Sequence, residues 1–570
     1  MVDEWLRCGV TDAVLAPGSR STPLALALAD AERREQITLH VRLDERSAGY
    51  LALGIAKVTG IPAVVVTTSG TASVNLHPAI VEADESGVPL IAVTCDRPAR
   101  LRGVGANQVI EQAGVFGTSV RISLDMGLAA DVPGMVRYWR STMSRTVAMA
   151  TDATNPGPVH VNVPFDEPLV SSDDDVWCEE LEGRPDDRPW TADARLVAGM
   201  STPLDDVLDS LLDDAAVPAR GLIIIGDHDD PEAVEMVDDL GDMLGWPVIA
   251  EPSGNGAGCA TALSHGPLLL ADPSFAKAHV ADLVITIGRV GLDRSVLRAI
   301  SSAGMHIAVD TRPKWSDPTR TAAVVLTSVP LCPEAAEVDE EWLQSWQRAD
   351  VLAAAAVETV LSDDTLTGIH VARIATSAVP DGGLLFIGPS WSVRHVGSFA
   401  ANTVQDAVVL CNRGTSGIDG CVSTSWGAAF ALQRNGGAGA LALMGDQTFL
   451  YDSNALMVPA EEERPDLVLV VSDNDGGGIF SSLEQGAPAY EESFERVFGV
   501  PLGVDLEQLC KAAGVPVAIV STTEELRGAI DDAMGTGGVR VVVARTCARK
   551  QEAELLTSVQ AAIADALGSA

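Results

Sequence analysis

Short apolar runs rich in β-branched residues, each closed by Gly, Ser or Asp, alternate along the whole chain with longer Ala-, Leu- and Glu-bearing stretches. Runs that are apolar throughout, without the every-second-residue polarity of a half-exposed strand, are buried on both faces, and that happens in parallel sheets covered by helices. The chain therefore reads as α/β. In its first third the strand candidates are Ala13–Ala16, Leu39–Leu43, Ala63–Thr67, Leu90–Thr94 and Val159–Val163. A second set is Gly221–Gly226, Pro247–Ala250, Leu283–Gly288 and His306–Asp310, and a third is Leu384–Gly388, Ala407–Cys411, Ala440–Met444, Leu467–Ser472, Val515–Val520 and Val539–Ala544. Acidic segments without apolar periodicity separate them: Ser171–Asp175 and Glu179–Asp187 read as solvated linker, and Glu334–Glu341 leads into a Trp-bearing helix. The expectation is three domains at 1–175, 190–345 and 355–570, each a mainly parallel sheet flanked by helices, which suits a chain of 570 residues. The first and third sets have similar strand spacing, as distant structural relatives would, although spacing alone proves no kinship.

Charge excludes some functions and leaves others open. Asp and Glu number 79 against 38 Lys and Arg, a net charge of −41, so the field of the surface repels a phosphate backbone and nucleic acid is not an expected partner. Only Lys57, Lys277, Lys314, Lys511 and Lys550 are lysines. A carboxylate-rich, lysine-poor surface stays hydrated where salt screens its repulsion, which suggests a halophilic source; an ordinary acidic protein is the alternative. The cysteines are scattered with no Cys-x-x-Cys pair, and reduced, mostly buried thiols are expected. No signal peptide is recognisable and no apolar run reaches the roughly 18 residues that cross a bilayer, so a cytoplasmic protein without a membrane partner is expected.

The most informative segment is Gly445-Asp446-Gln447 at the end of one apolar strand, with Ser472-Asp473-Asn474-Asp475-Gly476 at the end of the next. Strand ends in a parallel sheet present their loops to one edge, so Asp446, the Asn474 amide oxygen and the Gly476 carbonyl offer hard oxygen ligands to one Mg²⁺, whose shell a diphosphate would complete. A Gly-Asp pair also occurs in ordinary loops. Far away, Leu43-Asp44-Glu45-Arg46 ends the second strand candidate; read alone, Glu45 is also what a helix N-terminus favours.

Together these residues resemble the thiamine diphosphate (ThDP) enzymes, whose pyrophosphate-binding motif runs from Gly-Asp-Gly to Asn-Asn. Gln447 and Asp473 depart from that motif, while Asp446 and Asn474 keep its ligand types. The resemblance implies pyrimidine, central and pyrophosphate domains in that order. It implies a metal site of Asp446, Asn474 and Gly476 for Mg²⁺, with Mn²⁺ as a substitute. Glu45 would be the acid against N1′ of the aminopyrimidine. The cofactor set would be Glu45, Ser390, Ser416, Ile418, Gly445, Asp446, Gln447, Thr448, Asn474, Gly476, Ile479 and Phe480, with Ile418 propping the bent cofactor. It also implies a homodimer or homotetramer with active sites between subunits.

Four further segments narrow the resemblance: Ala16-Pro17-Gly18-Ser19-Arg20-Ser21, Thr68-Ser69-Gly70-Thr71-Ala72, Gly105-Ala106-Asn107-Gln108 and Asn412-Arg413-Gly414-Thr415-Ser416-Gly417-Ile418-Asp419-Gly420. They are similar to the branch of the family that, in menaquinone biosynthesis, decarboxylates 2-oxoglutarate and adds the product to isochorismate, a transferase reaction. Both substrates are dianions, which the planar arginine fork suits. The implied substrate set is Ser19, Arg20, Arg97, Asn107, Gln108, Arg294, Ser390, Arg394 and Arg413, with Ile479, Phe480 and Leu483 as an apolar wall. Arg289 is a near neighbour that competes with Arg294 for its role. An arginine taken at random is a solvated charge, and the apolar wall taken alone is core packing. No histidine is assigned a catalytic part. Met1–Leu6 reads as the inside of a first helix that has a turn or two more in the family. The competing readings are another ThDP-dependent 2-oxoacid decarboxylase or acetohydroxyacid-synthase-like enzyme, and, more remotely, a non-catalytic nucleotide- or flavin-binding α/β protein.

Overall fold

The computed structural model describes residues 1–170, 177–191, 202–209, 217–228, 230, 232–333, 337–361, 365–401 and 406–568. The acidic segment Ser171–Asp175 and the start of Glu334–Glu341 lie outside these. Among the described residues there are three sheets, every pairing in them parallel. The first contains β1 (Asp12–Leu15), β2 (Thr38–Val41), β3 (Ala63–Thr67), β4 (Leu90–Asp96), β5 (Ser123–Asp125) and β6 (Pro158–Pro164). The second contains β7 (Gly221–Ile225), β8 (Val248–Ala250), β9 (Leu283–Ile287), β10 (Met305–Val309) and β11 (Val324–Leu326). The third contains β12 (Leu384–Ile387), β13 (Val408–Cys411), β14 (Ala440–Gly445), β15 (Leu467–Asp473), β16 (Val517–Val520) and β17 (Val539–Arg545). Strands β3, β4, β6, β7 and β9 are buried along their whole length, as double-sided burial requires.

The outer two sheets have the same permuted order, β2-β1-β3-β4-β6-β5 and β13-β12-β14-β15-β17-β16. That identity makes them two copies of one topology, which strand spacing could only suggest. In each, the chain reverses its direction of growth between the first and third strands, at β1/β3 and at β12/β14. A crevice opens outside the carboxyl ends of the strands at such a reversal, and ligands of open α/β sheets bind there. The short edge strands β5 and β11 were not among the sequence expectations; neither residue run is buried.

By density of contacts the chain forms two units: Met1–Val197 with Asn412–Gly436 and Tyr451–Pro465, and Ala198–Cys411 with Gly437–Leu450 and Asp466–Ala570. The first unit is built on the β1–β6 sheet, with a core that includes Trp5, Leu28, Val64, Ile91 and Val161. Its helices Glu45–Thr59 and Cys421–Arg434 meet backbone to backbone: a Cβ on Gly54 would stand 2.1 Å from the Thr424 carbonyl oxygen, and one on Gly427 would stand 2.2 Å from that of Leu51. Only glycine fits at either place. The buried Asp452 ties the same two helices, accepting from Ser423 N–H at 2.7 Å and from the Ser47 hydroxyl at 3.4 Å. Segment Glu179–Asp187, expected as solvated linker, is partly docked. Glu179 accepts the Gly134 and Val136 N–H groups at the start of helix Met135–Ala150, where the positive end of the helix dipole holds it.

In the second unit the β7–β11 and β12–β17 sheets have separate cores, around Ile223, Leu240 and Trp246 and around Leu385, Leu443 and Val470. A third cluster joins Trp342 and Trp346 of helix Glu340–Val360 to Val559 and Ile563 of helix Arg549–Gly568. Among the described residues no cysteine is in a disulfide; Cys95, Cys259, Cys411, Cys421 and Cys510 are buried and Cys178 is exposed. Among the described residues no helix is long and apolar enough to cross a membrane.

Candidate active site

The sequence-predicted residues follow strand ends. In the first unit, Ser19 and Arg20 follow β1, Glu45 follows β2, Arg97 follows β4, and Arg413, Ser416 and Ile418 lie in the loop before helix Cys421–Arg434. Arg20 is buried: its N–H meets the Thr68 hydroxyl at 3.3 Å, one guanidinium nitrogen donates to the Phe165 carbonyl at 3.0 Å, and Glu167 lies 3.6 Å away. Arg97 donates to the Ser69 hydroxyl and to the Gln108 carbonyl, and Gln108 returns a bond to the Ser69 carbonyl at 2.8 Å. Partial burial, and then the charge of Arg20, push the Arg97 guanidinium down from its ordinary value. A guanidinium disfavoured by burial and by a second guanidinium's charge favours an anion beside it. Asn107 is exposed on the same loop as Gln108.

Glu45 is the first residue of helix Glu45–Thr59, and Asp44 already caps that helix by accepting the N–H groups of Arg46 and Ser47. Glu45 is half-buried and accepts one bond from the Asn75 amide at 3.2 Å. Its second oxygen is therefore available to a ligand. Ile418 is 36% exposed, so it is not core packing.

In the second unit, Ser390 follows β12, Asp446 follows β14 and Asn474 follows β15, with Gly445 and Ser472 in register on adjacent strands. Asp446 and Thr448 are buried. Burial, and then the Asp473 carboxylate, push the Asp446 carboxyl up to about 7, although Gln447 and Gly476 supply backbone hydrogen bonds to it. The Asn474 side-chain oxygen is buried with no hydrogen-bond partner. A buried carboxylate whose charge is disfavoured, next to an orphaned amide oxygen, is what a divalent cation would relieve. Among the described residues no three His, Cys, Asp or Glu side chains cluster to hold a metal, so such an ion needs these mixed oxygen ligands. The Gly476 carbonyl accepts from the Gly478 N–H at 2.9 Å, and Gly476 has no room for a side chain, since a Cβ would stand 2.3 Å from the Gly499 carbonyl oxygen. The Gln447 amide is spent on the Gly499 and Val500 carbonyls, both at 3.2 Å.

Ile479, Phe480 and Leu483 are half-buried around the 3₁₀ turn Gly478–Ser482, with Phe480 5.7 Å from Phe498. Arg294, the first residue of helix Arg294–Ser302, reaches this segment through an exposed pair with Glu484 at 3.0 Å. Arg394 donates to the Ser390 carbonyl at 2.9 Å and to the Leu292 carbonyl at 3.2 Å. Leu292 is itself held by Glu251, which accepts the Gly291 and Leu292 N–H groups at 2.8 and 2.7 Å. Gln108, Ser390, Ser416 and Asp475 all have φ between 54° and 73°, strained for residues with a side chain. Backbone strain of this kind persists where the surroundings enforce it, and it collects at binding sites.

Residues 1–115 match the family described as thiamine pyrophosphate enzyme, N-terminal TPP binding domain, and residues 398–544 match its C-terminal TPP binding domain. Among curated proteins, the chain is 44% identical over 580 residues to the 2-succinyl-5-enolpyruvyl-6-hydroxy-3-cyclohexene-1-carboxylate synthase of Thermobifida fusca, covering 100% of this chain and 98% of that protein. It is 43% identical over 547 residues to the synthase of the same name from Saccharopolyspora erythraea, covering 96% and 94%. The Rhodococcus erythropolis synthase is 39% identical over 559 residues, covering 96% and 95%. The chain belongs to this family of synthases.

A synthase of this family is a ThDP-dependent enzyme, and the chemistry of the donor set fits the cofactor: a buried carboxylate and an orphaned amide oxygen at the ends of the adjacent strands β14 and β15, and a half-satisfied Glu45 elsewhere. Several residues around the site carried no sequence signal. Gln112 is one of them: it accepts the Gly70 N–H at 3.0 Å and donates to the Cys95 carbonyl at 3.1 Å. Glu82 and Glu251 are buried acids that hold loops and Asp452 is one that ties two helices, and nothing in the sequence separates them from the other Asp and Glu residues.

Proposed function

We propose that the protein decarboxylates 2-oxoglutarate and adds the resulting four-carbon unit to isochorismate, giving 2-succinyl-5-enolpyruvyl-6-hydroxy-3-cyclohexene-1-carboxylate. The observation that carries this reading is full-length identity to synthases of that name, together with the arginines that stand at strand ends. Bound ThDP supplies a nucleophilic carbon for the keto group of the 2-oxoacid and takes up the electron pair left when CO₂ departs. Glu45 holds a proton opposite N1′ of the pyrimidine, the role its free carboxylate oxygen suits. Asp446, Asn474 and the Gly476 carbonyl hold Mg²⁺, or Mn²⁺ in its place. Thr448 and the backbone of Gly445 and Gln447 line the diphosphate, and Ser390, Ser416 and Ile418 orient the rest of the cofactor. Arg20, Arg97, Arg394 and Arg413 hold substrate carboxylates, with Ser19, Asn107 and Gln108 adding neutral hydrogen bonds. Arg294, exposed and paired with Glu484, is the weakest member of the set. Ile479, Phe480 and Leu483 exclude water from the reacting carbon.

The test is an ultraviolet assay in molar KCl with Mg²⁺, ThDP and 2-oxoglutarate. Loss of isochorismate absorbance that needs both ThDP and 2-oxoglutarate is the expected result. No loss, with CO₂ released from another 2-oxoacid, would keep the ThDP enzyme and discard these substrates.

The family supports a homodimer or homotetramer with active sites between subunits, working in the cytoplasm. The net charge of −41 and the scarcity of lysine support a salt-rich setting. Dialysis from molar KCl into low-salt buffer is expected to lower both the melting temperature and the activity. An enzyme equally stable and active at low salt would refute the halophilic reading.

A further inference from the structure

The loop from Asn412 to Gly420 carries Arg413, Ser416 and Ile418, yet its own sequence does little to hold it. It contains Gly414 and Gly417, and Ser416 sits at φ 56°. Arg413 is half-buried and has no hydrogen-bond or ion-pair partner among the described residues. An arginine meant for a ligand carboxylate has to be kept unpaired and still, and the fixing must come from outside the loop.

It comes from Glu82, in helix His77–Ser86, which is 1% exposed. One carboxylate oxygen accepts the Gly414 N–H at 2.8 Å and the Ser86 hydroxyl at 2.9 Å. The other accepts the Thr415 N–H at 2.6 Å and the Thr415 hydroxyl at 2.7 Å. Two consecutive backbone N–H groups thus converge on one buried anion, directly after Arg413. Gly414 has no room for a side chain there: a Cβ would stand 2.6 Å from the Ser86 hydroxyl and 2.7 Å from the Glu82 carbonyl oxygen. The far end of the loop is held separately, by Tyr50 donating to Asp419 at 2.6 Å. Burying a carboxylate is costly, and an apolar side chain in its place would serve stability as well. What an apolar residue cannot do is fix the backbone on either side of an unpaired arginine.

We propose that Glu82 is a positioning residue for substrate binding, its buried carboxylate fixing Gly414 and Thr415 so that Arg413 is held ready for a substrate carboxylate. This rests on the reading that Arg413 contacts substrate. The experiment is a double-mutant cycle on the ThDP-loaded enzyme with E82Q, R413A and the pair, measuring kcat and KM for 2-oxoglutarate and for isochorismate. ThDP affinity is measured separately by tryptophan fluorescence. In E82Q an amide NH₂ faces an N–H donor, so one loop N–H loses its acceptor. KM for one of the two dicarboxylates is expected to rise roughly tenfold or more, with ThDP affinity within about twofold of the parent. In the R413A background E82Q is expected to add less than about twofold, and E82D, which keeps the charge, to recover part of the loss. If E82Q multiplies the R413A loss in full, Glu82 does not act through Arg413 and the proposal is overturned. The same holds if E82Q leaves both KM values unchanged. If R413A alone leaves both unchanged, the assignment of Arg413 itself is wrong, and the single variant shows it. Should E82Q fail to fold, E82D carries the cycle, with a smaller rise in KM expected and the same requirement that R413A abolish it.

Discussion

Replacing Glu45 with Gln is expected to cut kcat by about 10²–10⁴-fold, the usual contribution of a positioned acid or base, while the protein keeps its fold and its affinity for Mg²⁺ and ThDP. The structure separates the two roles a helix-start glutamate can have. Asp44 already accepts the N–H groups of Arg46 and Ser47, so the helix does not need Glu45 as a cap. The Glu45 carboxylate makes a single bond, from Asn75 at 3.2 Å, which Gln can still accept with its amide oxygen. Gln is isosteric but cannot exchange a proton, so the loss falls on the chemistry. The measurement is kcat together with the rate of deuterium exchange at C2 of the bound cofactor. Full activity and unchanged exchange in E45Q would remove Glu45 from the catalytic role. A fall in melting temperature matching the loss of activity would make it a structural residue.

The fold was legible to the extent that a run of buried β-branched residues differs from anything else in a chain. All fifteen strand candidates that the pattern picks out correspond to strands. The two that escaped it, β5 and β11, are three-residue edge strands whose residues stay partly exposed, and the double-sided burial that marks the others is absent. The close contact between helices Glu45–Thr59 and Cys421–Arg434 was invisible for another reason. Gly54 and Gly427 are needed because backbones meet there, and no local feature distinguishes them from glycines with open space around them, such as Gly60 or Gly436.

The candidate site could be proposed from the sequence at its strand ends and not behind them. Residues that face a ligand fall just past the carboxyl ends of strands, because that is where an open parallel sheet leaves its crevice, and a motif can be read there. The groups that hold those residues in place come from helix interiors and distant loops. Glu82 lies in mid-helix, Glu251 just beyond β8 and Gln112 in a loop, and each accepts backbone N–H groups, with side-chain partners added at Glu82 and Gln112. A backbone donor has no sequence identity, so no pattern pairs it with its acceptor. Gln447 was legible only as a place in the motif; that its side-chain amide donates to the Gly499 and Val500 carbonyls could not be read from the sequence.

Replacing Asp446 with Asn is expected to have opposite effects on the two forms of the protein. In the metal-free form the Asp446 carboxyl is raised to about 7 by burial and then by Asp473, against an ordinary value of 3.8. The folded state therefore binds this proton more tightly than the unfolded chain does, so folding stability falls as pH rises from about 4 to about 7 and the penalty is complete above that. Its size is on the order of a few kcal/mol at pH 8. Asn has the same shape and no charge, so metal-free D446N is expected to melt above the metal-free parent at pH 8, with the two converging near pH 4. Mg²⁺ with ThDP reverses the order. In the parent a divalent ion held by Asp446 would neutralise the buried carboxylate and bind the native state alone, and the melting temperature is then expected to rise with the logarithm of its concentration. D446N lacks the charged ligand and is expected to show little of that shift and almost no turnover. Melting curves at pH 4 and pH 8, with and without Mg²⁺ and ThDP, check both halves at once. A D446N protein still stabilised by Mg²⁺ and ThDP as strongly as the parent would take Asp446 out of the metal site. If metal-free D446N melts no higher than the parent at pH 8, the carboxylate is not under the strain its burial implies, and the cation would have to be drawn there by Asp473 instead.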